Sequence, residues 1–237
     1  MYKRQINING GDVHNSGKIV ASGVNTDGVR IEKGTFATDN KSVIEVKGSD
    51  KLTVIEDEDG KNKTLSEASG VKLNGTSNFV NNGIIKVTGT TDGTYSGYQS
   101  KGININSATA SAENKGTIIV DRNGIGVGTK GTFINNGGIK VSGSGIGINI
   151  SDSGNVINNK VIEADGKSYG IQVSAKGTAT NNGTVIAQNG SIGMTTAKVA
   201  GNTTSYTDVI NDGTIYVNGD GSTGMQANDN RKVTNNG

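Results

Sequence analysis

The sequence has no cysteine, no proline and one histidine, and aromatic residues make up 4% of its 237 positions. Without cysteine there is no disulfide and no thiolate-held metal, which also suits a protein exported unfolded. One histidine, His14, argues against a zinc site. It sits beside the first repeat in an outward-looking turn position and reads as solvated. No run of 18 apolar residues exists, so no transmembrane helix is expected. The opening MYKRQINING lacks the apolar core of a signal peptide. Net charge is only +2. There is no basic stripe and no nucleic-acid-binding signature, so no nucleic-acid partner is expected. Apolar content is low at 31%. Taken alone, that points toward disorder. The order of the residues overrides it.

What is present is an internal repeat. Between Phe133 and Val185 one phrase recurs: an Asn pair, an alternating apolar run, a glycine, a second alternating run, then a Lys-Gly or Ser-Gly. The anchors are Asn15, Asn40, Asn81, Asn114, Asn135, Asn158, Asn181, Asn211 and Asn235, spaced 25, 41, 33, 21, 23, 23, 30 and 24 apart. A unit of 21–25 residues with little leucine and no helical segment predicts a single-stranded parallel β-helix, all-β and pectin-lyase-like. Positions 0, 2, 4 and 6 from the anchor share one strand face. They recur as Asn, Gly, Ile and Val, as in Asn135, Gly137, Ile139 and Val141. A second strand reads Gly-Ile-x-Val, with copies at Gly102, Gly124, Gly147 and Gly170. Its glycine is read as a corner residue with positive φ. A third, shorter segment follows, as in Gly131–Ile134. Three segments predict a roughly triangular coil. About 4.8 Å per rung gives a rod on the order of 40 Å long.

A buried amide must be hydrogen-bonded. Asn81, Asn114, Asn135, Asn158, Asn181 and Asn211 are therefore expected to form a structural ladder. Lys160 stands in the glycine slot, so either the turn opens there or the lysine stem lies along the wall. Between Ile and Val the first strand carries an outward slot, with Glu45 next to Lys86 and Lys140 next to Glu163. Residues 1–4 match no repeat position and read as a leader not native to the fold. Residues 5–237 read as one continuous β-helix fragment, with both ends cut and a tendency to be sticky when expressed alone. It carries insertions near 48–69, 90–100 and 199–207.

Solenoids place binding in such insertions. The first holds four consecutive acids, Glu56 to Asp59, without calcium-loop spacing, and reads as a solvated acidic loop. The second exposes Tyr95 and Tyr98 among Ser, Thr and Gly, and the third holds Tyr206. These three tyrosines are the expected partner contacts. No catalytic, cofactor-binding or metal-binding residue is assigned and no cofactor is expected. Ser153, in Asp152-Ser153-Gly154, reads as an ordinary turn. Asp121, Asp152, Glu163 and Asp165 are the available acids for glycoside or uronate chemistry, which needs two carboxylates across a groove. They do not cluster in sequence with an arginine; Asp121-Arg122 comes nearest.

The Asn-Asn-Gly-Thr-Ile/Val-x-Val … Gly-Ile-x-Val … Lys-Gly-Thr grammar resembles the passenger region of type V autotransporters. It is most similar to the Asn/Gly-rich passengers of fusobacteria. The resemblance implies a right-handed coil and a non-enzymatic adhesin or aggregation stalk on the outer-membrane surface, a virulence-type role. It implies a monomeric rod and a C-terminal outer-membrane barrel in the full-length protein. Its partners would be a host-cell surface protein or glycan, or other bacterial cells. The alternatives are a carbohydrate-active β-helix of the lyase or hydrolase kind, with clustered carboxylates, and a phage tail-fibre segment, which would be an obligate trimer. Ice binding would need a flat outward Thr array, which the mixed outward slots exclude.

Overall fold

The computed structural model describes residues 6–23, 26–48, 53–56, 62–65, 68–89, 99–174, 176–197, 207–228 and 231–237. The chain is a right-handed parallel β-helix. Each coil contributes a strand to each of three walls. The first wall is an eight-stranded parallel sheet running from Lys18–Ser22 to Thr214–Asn218. Second-wall strands, such as Lys101–Ile105 and Ile146–Ile150, stack in register, as do third-wall strands such as Thr132–Asn135 and Gly154–Asn158. In the first three coils the second and third strands run on without a break, as Ile6–Asn15, Thr26–Thr38 and Ala68–Asn81. The two walls are therefore one sheet at that end.

Inside, like stacks on like. Ile85, Ile118, Ile139 and Ile162 form one column of the first wall, and all are 0–1% exposed. β-branched side chains suit this pleated wall, and each buried one contributes about 1.5–3 kcal/mol. Phe36 stacks on Phe79 in the third wall, with ring centroids 5.4 Å apart.

Three readings of the sequence need correction. Asn40 is not the anchor of its coil: Asn15 pairs with Thr38, whose hydroxyl donates to Asn81 Oδ1 at 3.1 Å. Two extra residues between Thr38 and Val43 carry the turn, so counting back from Ile44 lands on Asn40. The copy placed at Gly124–Val127 is two residues out of frame. Val127 pairs with Ile103 and Ile148, so the true copy is Gly126-Val127-Gly128-Thr129. Thr129 turns inward and satisfies itself on Gly131, donating to its carbonyl at 2.9 Å and accepting from its N–H at 3.1 Å.

The third correction concerns why glycine precedes the second-strand pair. Gly102, Gly126, Gly147 and Gly170 do not adopt positive φ. They face the core, where a Cβ would lie 2.5–2.7 Å from the carbonyl of the equivalent glycine one coil on. The fold excludes side chains there by close approach. Positive φ is found instead in the preceding corner, at Gly143-Ser144, Gly166-Lys167 and Asn189-Gly190. Two consecutive positive φ values make a type I′ turn, which glycine and asparagine tolerate. Gly147→Ala should therefore cost about 1–3 kcal/mol by overpacking. Gly138→Ala, where a Cβ meets nothing within 4 Å, should stay within about 0.5 kcal/mol. Urea midpoints of the two variants measure the contrast.

At Lys160 the turn opens. The residue is exposed, and its N–H turns to Asn158 Oδ1 at 3.4 Å. The equivalent Gly116, Gly183 and Gly213 instead donate to the ladder asparagine's carbonyl one coil back. Gly83, in the same slot, also donates to its ladder asparagine, to Asn81 Oδ1 at 3.3 Å, so the side chain of Lys160 is not what sets this turn.

The insertion near 48–69 contains an antiparallel hairpin, Thr53–Glu56 paired with Asn62–Leu65, where a plain loop was expected. Of the acidic run, Asp57, Glu58 and Asp59 lie outside the described residues, as do residues 1–4.

Candidate functional site

The asparagine ladder is continuous. Asn81 Nδ2 donates to Asn114 Oδ1 at 2.8 Å, and the chain passes through Asn135, Asn158, Asn181 and Asn211 to Asn235 at 2.6–2.8 Å per step. Each amide also donates to the carbonyl two residues on, as Asn135 does to Gly137 at 3.0 Å. Six of these side chains, Asn81 to Asn211, are 0–1% exposed. Each uses both ends of its amide inside the scaffold, so the ladder has no surface to offer a partner.

The outward slot of the first wall runs Val20, Glu45, Lys86, Ile119, Lys140, Glu163, Ile186 and Tyr216 in register. Lys140 reaches Glu163 at 3.9 Å, with both side chains well exposed. Such pairs contribute about 0–1 kcal/mol. Glu45 lies opposite Lys86 but forms its ion pair with Lys18 on the other side, at 2.9 Å. That hydrogen bond holds the Glu45 carboxyl below the usual carboxylate range, with Lys47 and Lys86 adding to it. Asp39 is also held low, first by the Lys41 N–H at 2.9 Å and then by the Ser42 hydroxyl at 3.0 Å. A lowered folded pKa gives stability that is complete above the unfolded values, near pH 4. That stability is lost as pH falls through the folded values. The double variant Asp39→Asn, Glu45→Gln should flatten the acid limb of a plot of urea midpoint against pH.

Of the four acids weighed for hydrolytic chemistry, only Glu163 and Asp165 come together. Glu163 and Asp165 share a depression of about 240 Å³ with Ile119 and Lys140. Both are tied to the next coil: Glu163 accepts from Gln188 at 3.3 Å and Asp165 from Asn189 at 2.7 Å. Asp121 lies two coils earlier and accepts from the Arg122 N–H at 2.8 Å. Asp152 is in the corner after the second strand, with φ of 60°. Among the described residues no group of three or more His, Cys, Asp or Glu side chains could hold a metal ion. His14 is exposed and in a strand, and several rungs separate it from Ser153, which is in a turn.

The two largest insertions leave one corner of the coil. Both follow a first-wall strand (Val43–Lys47 and Ile84–Thr88) and both precede a second-wall strand. Those first-wall strands are neighbours in the sheet. In later coils this corner is closed by a short turn such as Ser142–Gly145. Tyr95, Tyr98 and Tyr206 lie outside the described residues.

Beside that corner, on the outer face of the second wall, is a polar groove of about 400 Å³. Lys72, Lys101 and Lys130 line it together with Gln99, Asn104 and Asn149. Its floor is Gly128, which stands between Asn104 and Asn149 in the outward column. The Lys101 stem crosses this glycine, with Cδ 2.9 Å from where a Cβ would be. Sequence reasoning missed the groove because the frame error at Gly124 made Gly126 the outward residue. In a Gly-Ile-Gly-Val-Gly-Thr run, period-two alternation fits either frame. The threonine pattern Thr129-x-Gly131 was the available signal.

Comparison with known proteins gives no matching family model, no matching curated protein and no matching solved structure.

Proposed function

We propose that the chain is a non-enzymatic segment of a surface-displayed β-helical rod, of the autotransporter-passenger kind, contributing to cell adhesion or aggregation. The observation that carries this reading is the placement of the two longest insertions at one corner of adjacent coils. The two longest insertions leave one edge of adjacent coils, where a partner would meet them, and a shorter one, between Ile192–Thr196 and Thr207–Asn211, leaves another corner. The interior asparagines and some outward charges, such as Lys18, Glu45, Glu163 and Asp165, are engaged with neighbouring coils, which is what a stalk requires. The partner is a host-cell surface protein or glycan, or another bacterial cell. The full-length protein would carry an outer-membrane barrel, and the rod would act as a monomer.

The test is to replace residues 90–98 in the full gene with a short turn of the same sequence as Asp121–Gly124 and to measure attachment of cells displaying the protein. Attachment should fall while the surface amount and far-UV circular dichroism stay unchanged. Full attachment after removal of both large insertions would sink the reading.

A second reading, a carbohydrate-active β-helix, is favoured by the pairing of Glu163 with Asp165 at one depression. Release of new reducing ends from a uronate polymer, lost in Glu163→Gln, would support it over the stalk. A trimer by mass measurement would favour a tail fibre.

A further inference from the structure

We propose that the groove over Gly128 binds an acidic saccharide, with its carboxylate or sulfate on Lys72, Lys101 and Lys130 and its hydroxyls on Gln99, Asn104 and Asn149. Several cations elsewhere on the rod are matched to acids. Arg30 pairs with Asp27 at 2.6 Å, Lys18 with Glu45 at 2.9 Å and Lys115 with Glu113 at 3.1 Å. Three lysines converge here, and among the described residues no carboxylate lines the groove. Neither Lys72 nor Lys130 forms an ion pair among the described residues. Like charges gathered on one face raise the local potential and favour an anion.

The groove spans several rungs, and its roughly 400 Å³ falls in the range that holds an organic ligand rather than a single ion. Side-chain amides offer both donors and acceptors, the complement of sugar hydroxyls. Asn149 already accepts from the Ser174 hydroxyl at 2.8 Å, which orients its Nδ2 donors. Among the described residues no aromatic side chain lines the groove.

Gly128 makes the groove. The same outward column carries Gln172 and Gln226 in later coils. Glutamine is therefore compatible with the scaffold at this position, but at 128 it would displace the Lys101 stem and fill the floor. The assignment deepens the adhesion reading by naming a ligand class. It rests on that reading for its biological setting only.

The test uses the purified 237-residue chain in calorimetric and NMR titrations. The probes are a galacturonate trimer, a sulfated uronate tetrasaccharide, a neutral galactose trimer and a single-stranded oligonucleotide of matched charge. At least one acidic saccharide should bind and shift the amide signals of Asn104, Gly128 and Asn149, and the neutral trimer should not bind. Which acidic probe is tighter decides between carboxylate and sulfate. Gly128→Gln, and separately Lys72→Gln with Lys130→Gln, should each weaken binding about tenfold or more, with the thermal midpoint unchanged. Equal binding of the neutral trimer, equal or tighter binding of the oligonucleotide, or affinity unchanged in both variants would overturn the assignment. Such a failure leaves the cell-attachment test above standing.

Discussion

Ile139→Asp will abolish the single cooperative unfolding transition of the rod. Ile139 is 1% exposed and lies in register between Ile118 and Ile162, both 0% exposed. A carboxylate there has apolar neighbours in the coils before and after it. Burying it costs either the desolvation of a charge or protonation of the group, together with the lost packing. The expected loss is about 4 kcal/mol or more, at the extreme of what single substitutions do. Because each coil contacts chiefly its neighbours, the damage is local first. Coils on either side should unfold at separate urea midpoints, and amide exchange should accelerate earliest around residues 118, 139 and 162. A shift below about 1 kcal/mol with one transition retained would contradict the column described here.

Asn135→Ala will destabilise the rod by about 2–4 kcal/mol, although it removes only a small polar group. The loss is large because two partners are orphaned. Asn114 Nδ2 loses its 2.8 Å acceptor and Asn158 Oδ1 its 2.7 Å donor, in a column 0% exposed. Both retain only long contacts, such as that of Asn114 Nδ2 with the Gly116 carbonyl at 3.4 Å. Water cannot reach them as readily as it reaches a surface amide. Asn135→Thr should recover a good part of the loss. Thr38 already occupies a ladder position and donates to Asn81 Oδ1. A hydroxyl can therefore pass the chain of donors on. Equal urea midpoints for the Ala and Thr variants would show that the ladder's hydrogen bonds are not what the asparagines contribute. By contrast, Asn159, outside the coil, bonds Asn136 at 2.9 Å while exposed, and should tolerate alanine within about 0.5 kcal/mol.

These two residues also mark what is legible in advance. Periodicity alone places Ile139 and Asn135 inside, because a strand shows alternate residues to one face. The repeat then supplies the stacking partner of each. The same logic predicts the whole outward slot from Val20 to Tyr216. It fails at Asn40 and Gly124, and both failures have one cause. Alternation has period two, so an error of two residues leaves the pattern intact and only contact with the neighbouring coil reveals it. The hairpin at Thr53–Glu56 and Asn62–Leu65 is hidden for a different reason. Its residues belong to no repeat, and its acidic run masks the short alternating segments on either side.

By itself the sequence determined the class of fold, the three strands per coil, the inward columns of Ile, Val and Asn, and the corners that can take insertions. These are local and periodic properties, written again in each coil. Tertiary structure alone decided the frame of each coil against the next. It decided why Gly147 must be glycine, since the clashing carbonyl belongs to Gly170 in another coil. It also decided that Lys72, Lys101 and Lys130, scattered over three coils, meet over an outward position that has no side chain. Such juxtapositions depend on distances between residues far apart in the chain, and periodicity carries no record of them.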